Sequence, residues 1–345
     1  MLEAGERERL VGWLDAAGLP GAGEELTVEP LAGGATNEVY RLGRGTGSMV
    51  LRRPPAARPE RSKTIAREAR VLGALAGTDV PHARLLGFCE DESVLGVPFY
   101  VMELVDGWSP ASTAPRGPEP FDRDPSARAE LGREIVRGIA LLGGVDWRAR
   151  GLQGFGRPDG FHERQVSRWQ KHLEGFAFRP VPGLDEAAAW LSTHKPRSWE
   201  PGIMHGDYSF ANVMFRHGAP GRLAAIVDWE MTTIGDPLLD LGWLLMRWPS
   251  PDGPRPKGIF DMDGMPTPGE VLDIYAETSG RSVEDIDYYL VLACFKNAIV
   301  LEGRYAAFAS GEVTDPKLEQ FGGWVLEMAA LAGELSGASD LAPAG

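Results

Sequence analysis

The chain has 345 residues, 43% of them hydrophobic and 24% charged, with a formal net charge of −14 at pH 7. At roughly 100–200 residues per domain, this length fits two domains or one bilobal enzyme. The acidic balance argues against a nucleic-acid binder that neutralises phosphates, and two cysteines, Cys89 and Cys294, cannot build a disulfide framework or a cysteine-rich zinc site. No uncharged apolar run reaches about 18 residues, so no membrane span is expected. The acidic, amphipathic start MLEAGERERLVGWL does not read as a secretory signal and points to the cytoplasm.

In chain order, Leu10, Val11, Leu14 and Ala17 mark a helix that Gly18-Leu19-Pro20 ends. Thr27–Leu31, Thr36–Leu42 and Ser48–Arg52 read as strands joined by glycine turns, an antiparallel meander. Arg61–Leu75 reads as a helix with Ile65, Ala69, Leu72 and Leu75 on one stripe, followed by strands near Ala83–Cys89 and Pro98–Val105. Trp108–Phe121 is loop-like. Asp124-Pro125 starts a helix, Thr267-Pro268-Gly269-Glu270 is a capping box, and Ser282 to Asp285 repeats that logic before a long helix toward Phe308. The pattern predicts a β-rich lobe over residues 1–104, a mainly helical lobe over 105–335 and a disordered tail over 336–345. It leaves the oligomeric state open.

The segment that carries chemistry is His205-Gly206-Asp207-Tyr208-Ser209-Phe210-Ala211-Asn212, followed by the apolar run Val213–Phe215, and then Leu223–Val227 ending at Asp228. A hairpin of the two runs would hold Asp207 and Asn212 before its first strand and Asp228 after its second. Two carboxylates and a carboxamide would then converge, which suits Mg²⁺-assisted phosphoryl transfer. Mg²⁺ takes hard oxygen ligands and keeps several waters, so Asn212 and Asp228 suffice beside substrate phosphates. Asp207, kept off the metal, would orient an attacking hydroxyl and take its proton. The asparagine follows the aspartate by five residues, the spacing of the protein-kinase catalytic loop. His205 reads as a structural brace of this loop, and Asp240 as a residue supporting it from a following helix. No P-loop, G-x-S-x-G or H-E-x-x-H motif is present.

His-Gly-Asp-x-x-x-x-Asn, followed by Ile226-Val227-Asp228-Trp229-Glu230, resembles the aminoglycoside phosphotransferase and choline kinase group. Val50-Leu51-Arg52-Arg53-Pro54-Pro55, Arg164-Gln165-Val166, Trp169 and Gly235-Asp236-Pro237 resemble a branch that includes the kinase-like domain of certain acyl-CoA dehydrogenases. The resemblance implies an α+β, bilobal protein-kinase-like fold, with an N-terminal antiparallel sheet lobe and a larger, mainly helical C-terminal lobe around a nucleotide cleft. It implies transfer of the γ-phosphate of ATP, or GTP, to a hydroxyl of a small molecule, either a hydroxyacyl compound or an aminoglycoside-like one. It further implies that Gly33, Gly34, Thr36 and Asn37 form a flap over the phosphates and that Arg52 stands where most of the family has lysine, paired with Glu68. Glu103 and Val105 would then meet the adenine edge. Arg164, Trp169 and Glu230 are candidates for the acceptor pocket. Of the nine basic residues between Arg41 and Arg70, most are expected to be solvated, with some available to a second anionic group such as a coenzyme A phosphate. The competing reading is a kinase-like protein that binds nucleotide without turnover.

Overall fold

The computed structural model describes residues 2–31, 37–55, 57–113, 117–176, 178–249 and 261–343. Helix α1 (Ala4–Ala16) precedes β1 (Leu26–Pro30), β2 (Glu38–Arg44), β3 (Gly47–Arg53), α2 (Ser62–Leu75), β4 (Leu85–Cys89), the single turn α3 (Glu92–Leu95) and β5 (Phe99–Glu103). The five strands form one antiparallel sheet in the order β1-β2-β3-β5-β4. Side chains alternate across it. Leu51, Phe99 and Val101 turn to one face and join Leu10 and Leu14 of α1 in a small core. Arg52 and Tyr100, paired across β3 and β5, belong to the other face, where Tyr100 meets Ile65, Ala69 and Leu72 of α2 in a larger core that runs on into the helical lobe. The apolar stripe read from the sequence of α2 is this buried face.

After β5 come the turn α4 (Pro110–Thr113), α5 (Pro125–Gly143), α6 (Gln165–Glu174), α7 (Leu184–Thr193) and four short strands. Strand β6 (Gly202–Met204) pairs with β9 (Thr233–Gly235), and β7 (Val213–Phe215) pairs with β8 (Leu223–Ile226), both antiparallel. Helices α8 (Leu238–Leu245), α9 (Pro268–Ser279), α10 (Ile286–Ala309) and α11 (Phe321–Ala338) complete the lobe. Helix α10 runs through the core, burying Val291, Leu292, Cys294, Phe295, Ala298 and Ile299. No helix of the described residues is long and apolar enough to cross a membrane.

The caps behave unequally. Asp124 accepts from the Ser126 amide at 2.8 Å with Pro125 in the first turn of α5, and the Thr267/Glu270 box makes both its bonds at the start of α9. The box expected over Ser282–Asp285 does not form: α10 starts only at Ile286, and Asp285, at its N-cap, makes no side-chain cap bond. Its φ of −91° and ψ of 20° lie outside the extended conformation that turns a side chain back onto the first amides. Ser282, the expected cap, accepts from the Glu284 amide, ahead of the helix. The tail expected to be disordered from Ser336 onward begins as helix. Val325, Ala329 and Ala332 bury one face of α11, the helix continues to Ala338, Ser339 donates to Asp287 at 2.8 Å and Leu341 packs on the core.

Candidate active site

Strand β6 ends at Met204, and the chain turns sharply through His205-Gly206-Asp207. Gly206 has φ +88°, and a Cβ there would lie 2.6 Å from the Met231 carbonyl oxygen, so only glycine fits this crossing. Asp240, on α8 and fully buried, holds the turn from beneath: its carboxylate accepts from the amides of His205 at 2.6 Å and Gly206 at 2.9 Å. Burial pushes the Asp240 carboxyl up, and His205 and these two amides draw it back down. His205 is also buried. Its Nε2 lies 2.8 Å from the Val227 carbonyl and its Nδ1 accepts from the Asp207 amide at 3.3 Å. The ring is thereby set as the tautomer that donates from Nε2, bracing the loop against the strand that leads to Asp228. Tyr208 donates to the Ile135 carbonyl on α5 at 2.7 Å.

Asn212 donates from Nδ2 to both the Asp207 carbonyl, at 2.8 Å, and the Asp207 carboxylate, at 3.0 Å. These bonds use the amide nitrogen and not the carboxamide oxygen. The Asn212 carbonyl accepts from the Val227 amide at 3.0 Å, while Val213 pairs with Ile226. Asp207, Asn212 and Asp228 therefore gather at one end of the β7–β8 hairpin, as the apolar runs predicted. Asp228 itself has φ +64°, the one non-glycine residue among those described with a left-handed backbone. Strain of this kind costs on the order of 1 kcal/mol or more and persists where surrounding structure enforces it.

On the opposite wall, Arg52 bridges two carboxylates: Nε to Glu68 at 3.0 Å and Nη2 to Asp228 at 2.9 Å. Glu68, wholly buried on α2, also accepts from Tyr100 at 2.8 Å and from Asn37 at 3.4 Å. Burial pushes the Glu68 carboxyl up, to about 7, against the lowering pull of Arg52 and the Tyr100 hydroxyl. Burial alone would lower the pKa of Arg52, but Tyr100, Glu68 and Asp228 hold it above its ordinary value. Asn37, expected to face phosphate, is buried and donates to Glu68 instead. Gly33, Gly34 and Thr36 lie outside the described residues.

Other expected positions fall as follows. Glu230 accepts from Arg61 at 2.6 Å, tying the start of α2 to the segment after Asp228. Glu103 gives its amide to the Arg84 carbonyl at 2.9 Å, and Val105 is half-buried beyond the end of β5. The Arg164 guanidinium is spent on the carbonyls of Arg157 and Asp159, bracing its own loop. Trp169 of α6 stands beside Lys296 of α10. The basic segment is far less solvated than expected. Arg44 pairs with Asp15 and Arg53 with Glu6 and Glu38, while Arg67 donates to the Phe155 and Thr232 carbonyls and Arg70 to those of Gly151 and Gln153. Arg44 and Arg53 thus tie strands to α1 and β2 within the N-terminal lobe, while Arg67 and Arg70 of α2 join it to carbonyl-lined loops of the helical lobe.

Sequence reasoning missed three features. The Arg52–Asp228 bridge spans 176 positions and has no local signal. Buried Asp236 accepts from Tyr289 at 2.5 Å and lies 2.9 Å from His162 Nε2, joining three segments of the helical lobe. Lys296, in the middle of an apolar run of α10, could have been flagged as a charge in a hydrophobic stretch.

A two-lobed fold of this kind is that of phosphotransferases. Residues 27–270 match the model of the phosphotransferase enzyme family, and the chain belongs to that family. A crystal structure from Ralstonia eutropha, named as a candidate aminoglycoside phosphotransferase, superposes with a TM-score of 0.82 at 32% identity, covering 96% of this chain and 98% of that one. The thermostable aminoglycoside phosphotransferase APH(4)-Ia, solved with AMP-PNP and hygromycin B, shares the fold at a TM-score of 0.59 and 12% identity over 98% of this chain and 100% of that one. Acyl-CoA dehydrogenase family member 11 of Gallus gallus is 32% identical over 324 residues, 90% of this chain but 40% of that protein. The chain thus spans well under half the length of this curated relative.

Proposed function

We propose that the protein moves the γ-phosphoryl group of ATP or GTP to a hydroxyl of a small molecule, a hydroxyacyl compound or an aminoglycoside-like one. The observation that carries this reading is the gathering of Asp207, Asn212 and Asp228 at one end of the β7–β8 hairpin, opposite Arg52. In the reaction the acceptor hydroxyl oxygen forms a bond to the γ-phosphorus while the bond from that phosphorus to the β–γ bridging oxygen breaks. The nucleoside diphosphate leaves, and the hydroxyl proton passes to Asp207. One Asp207 oxygen is held by Asn212 and its amide by His205, so the carboxylate meets the hydroxyl in a fixed orientation.

The Asn212 carboxamide oxygen and the Asp228 carboxylate are the hard oxygen donors that Mg²⁺ prefers, and two suffice for an ion that keeps waters and phosphate oxygens as its other ligands. Bound there, Mg²⁺ would supply charge neutralisation at the phosphates. Arg52, always charged, is available to phosphate oxygens through the fork that now meets Asp228. Backbone groups of Glu103, the last residue of β5, and of Val105 just beyond it would meet the adenine edge.

The test is nucleoside diphosphate release with ATP or GTP, Mg²⁺ and a panel of hydroxyl compounds. It is joined to a mass-spectrometric search for phosphorylated products in metabolite extract. Acceptor-dependent release is expected. Nucleotide binding with no acceptor-dependent release would instead mean a kinase-like binding protein.

A further inference from the structure

Helix α2 turns different faces to the two lobes. At about 100° per residue, Arg67 and Arg70 lie away from the buried stripe of Ile65, Ala69 and Leu72, while Glu68 lies at the edge of that stripe. Glu68 meets the sheet, where Arg52 of β3 and Tyr100 of β5 bond its carboxylate. Arg67 and Arg70 meet the helical lobe. The Arg67 guanidinium lies 4.0 Å from the Phe155 ring centroid and donates to the carbonyls of Phe155 at 3.1 Å and Thr232 at 3.0 Å. Arg70 donates to the carbonyls of Gly151 at 2.6 Å and Gln153 at 2.9 Å.

Both ends of the helix are held to the same lobe. Arg61, at the N-cap, pairs with Glu230 at 2.6 Å, and the Ala76 carbonyl at the C-cap accepts from Arg150 at 2.8 Å. A few residues further on, the Pro81 carbonyl accepts from the Ile226 amide at 2.8 Å. Packing agrees with the hydrogen bonds. Ile65, Val71, Leu72 and Leu75 belong to the core that fills the helical lobe, whereas α1, β2 and β3 build a separate core with Leu10, Leu42 and Leu51. Glu230 and Thr232 closely follow Asp228 in the chain. Through Arg61 and Arg67, helix α2 therefore grips the segment that carries Asp228 at two points about 9 Å apart along its axis.

The geometry points to Arg67, supported by Arg70, as a positioning residue of the nucleotide site. It fixes α2 to the helical lobe, so that Glu68 stands at a set distance from Asp228 before nucleotide arrives, and the sheet that carries Arg52 is the part that moves on binding. Fixation of α2 stands on the contacts alone; its consequence for nucleotide rests on the phosphotransfer reading. The acceptors of Arg67 and Arg70 are loop carbonyls, so a cation bound at Asp228 does not compete for them as it competes with Arg52 for the Asp228 carboxylate. A helix that travelled with the sheet would need its arginines free of the helical lobe.

Hydrogen–deuterium exchange of the full chain, with and without ATP and Mg²⁺, tests the fixation. In wild type the nucleotide is expected to slow exchange in β2 and β3 by about 10-fold and to leave α2 within about 2-fold. Arg67→Met keeps an apolar stem over Phe155 and loses both donated bonds. In its nucleotide-free form α2 should exchange about 10- to 100-fold faster, and ATP with Mg²⁺ should then slow it. The affinity for ATP, measured by calorimetry, should fall by about 3- to 10-fold in Arg67→Met, with KM for ATP rising in parallel and kcat less affected. Arg67→Lys, a point charge without the fork, recovers part of both effects and replaces Arg67→Met should the latter fail to fold. The action through Glu68 is read from a double-mutant cycle: with Glu68→Gln already present, Arg67→Met should weaken ATP binding by less than about 2-fold. Losses that multiply independently overturn the positioning role, and α2 protected by nucleotide in wild type as much as β2 and β3 overturns the fixation. Phosphotransfer is judged separately. A fixed α2 and bound nucleotide with no transfer to any acceptor overturn the phosphotransfer reading and keep the fixation, whereas transfer with an α2 that follows the sheet overturns the fixation alone.

Discussion

Around Asp207 the bonds stay within the helical lobe and most involve the backbone: amides of His205 and Gly206 to Asp240, the Asp207 amide to His205, the Asn212 carboxamide to the Asp207 carbonyl and also to its carboxylate. Around Asp228 the bonds are ion pairs thrown across the cleft, Arg52 to Asp228 and Arg61 to Glu230. The first region is set by folding of the helical lobe alone. The second links lobes through charges that are also the natural partners of phosphate and cation. On the proposed reading, a site built this way would keep its proton-accepting carboxylate fixed while its nucleotide side exchanged protein partners for ligand partners, since an ion pair can be replaced by another of similar energy and a buried amide bond cannot.

The sharpest way to break the acceptor side is Asp207→Ala. If, as proposed, the carboxylate orients the hydroxyl and takes its proton, kcat should fall by about 10³- to 10⁴-fold while nucleotide affinity stays within a few-fold. Near-normal turnover would remove Asp207 from that role. On the nucleotide side, Asp228→Asn keeps a residue type that tolerates the left-handed backbone and removes only the charge. It should weaken Mg²⁺-dependent nucleotide binding by about 10²-fold, with Asn212→Ala showing a milder form. Asp228→Ala adds backbone strain and should be less stable than Asp228→Asn in urea. Equal Mg²⁺ dependence in wild type and Asp228→Asn would break the assignment.

Asp240→Ala tests whether the loop is held as described. It strands two buried amides, which should cost about 2–4 kcal/mol in urea unfolding. A loss within experimental error would mean that the loop is held by other contacts.

How much of this was readable beforehand follows from the range of the interactions. The capping box at Thr267, the α2 stripe and the β7–β8 hairpin are patterns over a few residues, and the structure reproduces them, but the Ser282–Asp285 box does not form. The Asp207–Asn212 contact was legible because five residues of loop bring one onto the other. The Arg52–Glu68 pairing was legible by resemblance, from a strand and the following helix. What stayed hidden depends on packing between distant segments: the Arg52–Asp228 bridge, the use of α2 arginines on loop carbonyls, and the setting of Lys296 of α10 beside Trp169 of α6 and Trp243 of α8. A lysine inside α10 announces a buried charge, but only the fold says what surrounds it.

Arg52 is the hinge of the comparison, touching both regions. Arg52→Ala should raise KM for ATP by about 10- to 100-fold, and Arg52→Lys, a point charge without the fork, should retain part of the affinity. Unchanged ATP kinetics in Arg52→Ala would place the phosphates elsewhere.

The smallest expected effect distinguishes burial from ion pairing at Glu68. Its carboxyl is raised from 4.5 to about 7 in the folded chain, so between those values the folded state binds more protons than the unfolded one. Stability from this group is therefore full below about pH 4.5 and is lost as pH rises through about 7. Glu68→Gln has no such proton. The stability of wild type relative to Glu68→Gln, measured by urea unfolding without nucleotide, should fall by about 1–3 kcal/mol over that window. A difference that stays flat would show that Arg52 and Tyr100 fully compensate the buried carboxylate. A difference that rises with pH would show the ion pair outweighing burial. In that case the cross-cleft bonds would be as firmly set as those beneath Asp207, and the nucleotide would have to displace a stable bridge instead of relieving a buried charge.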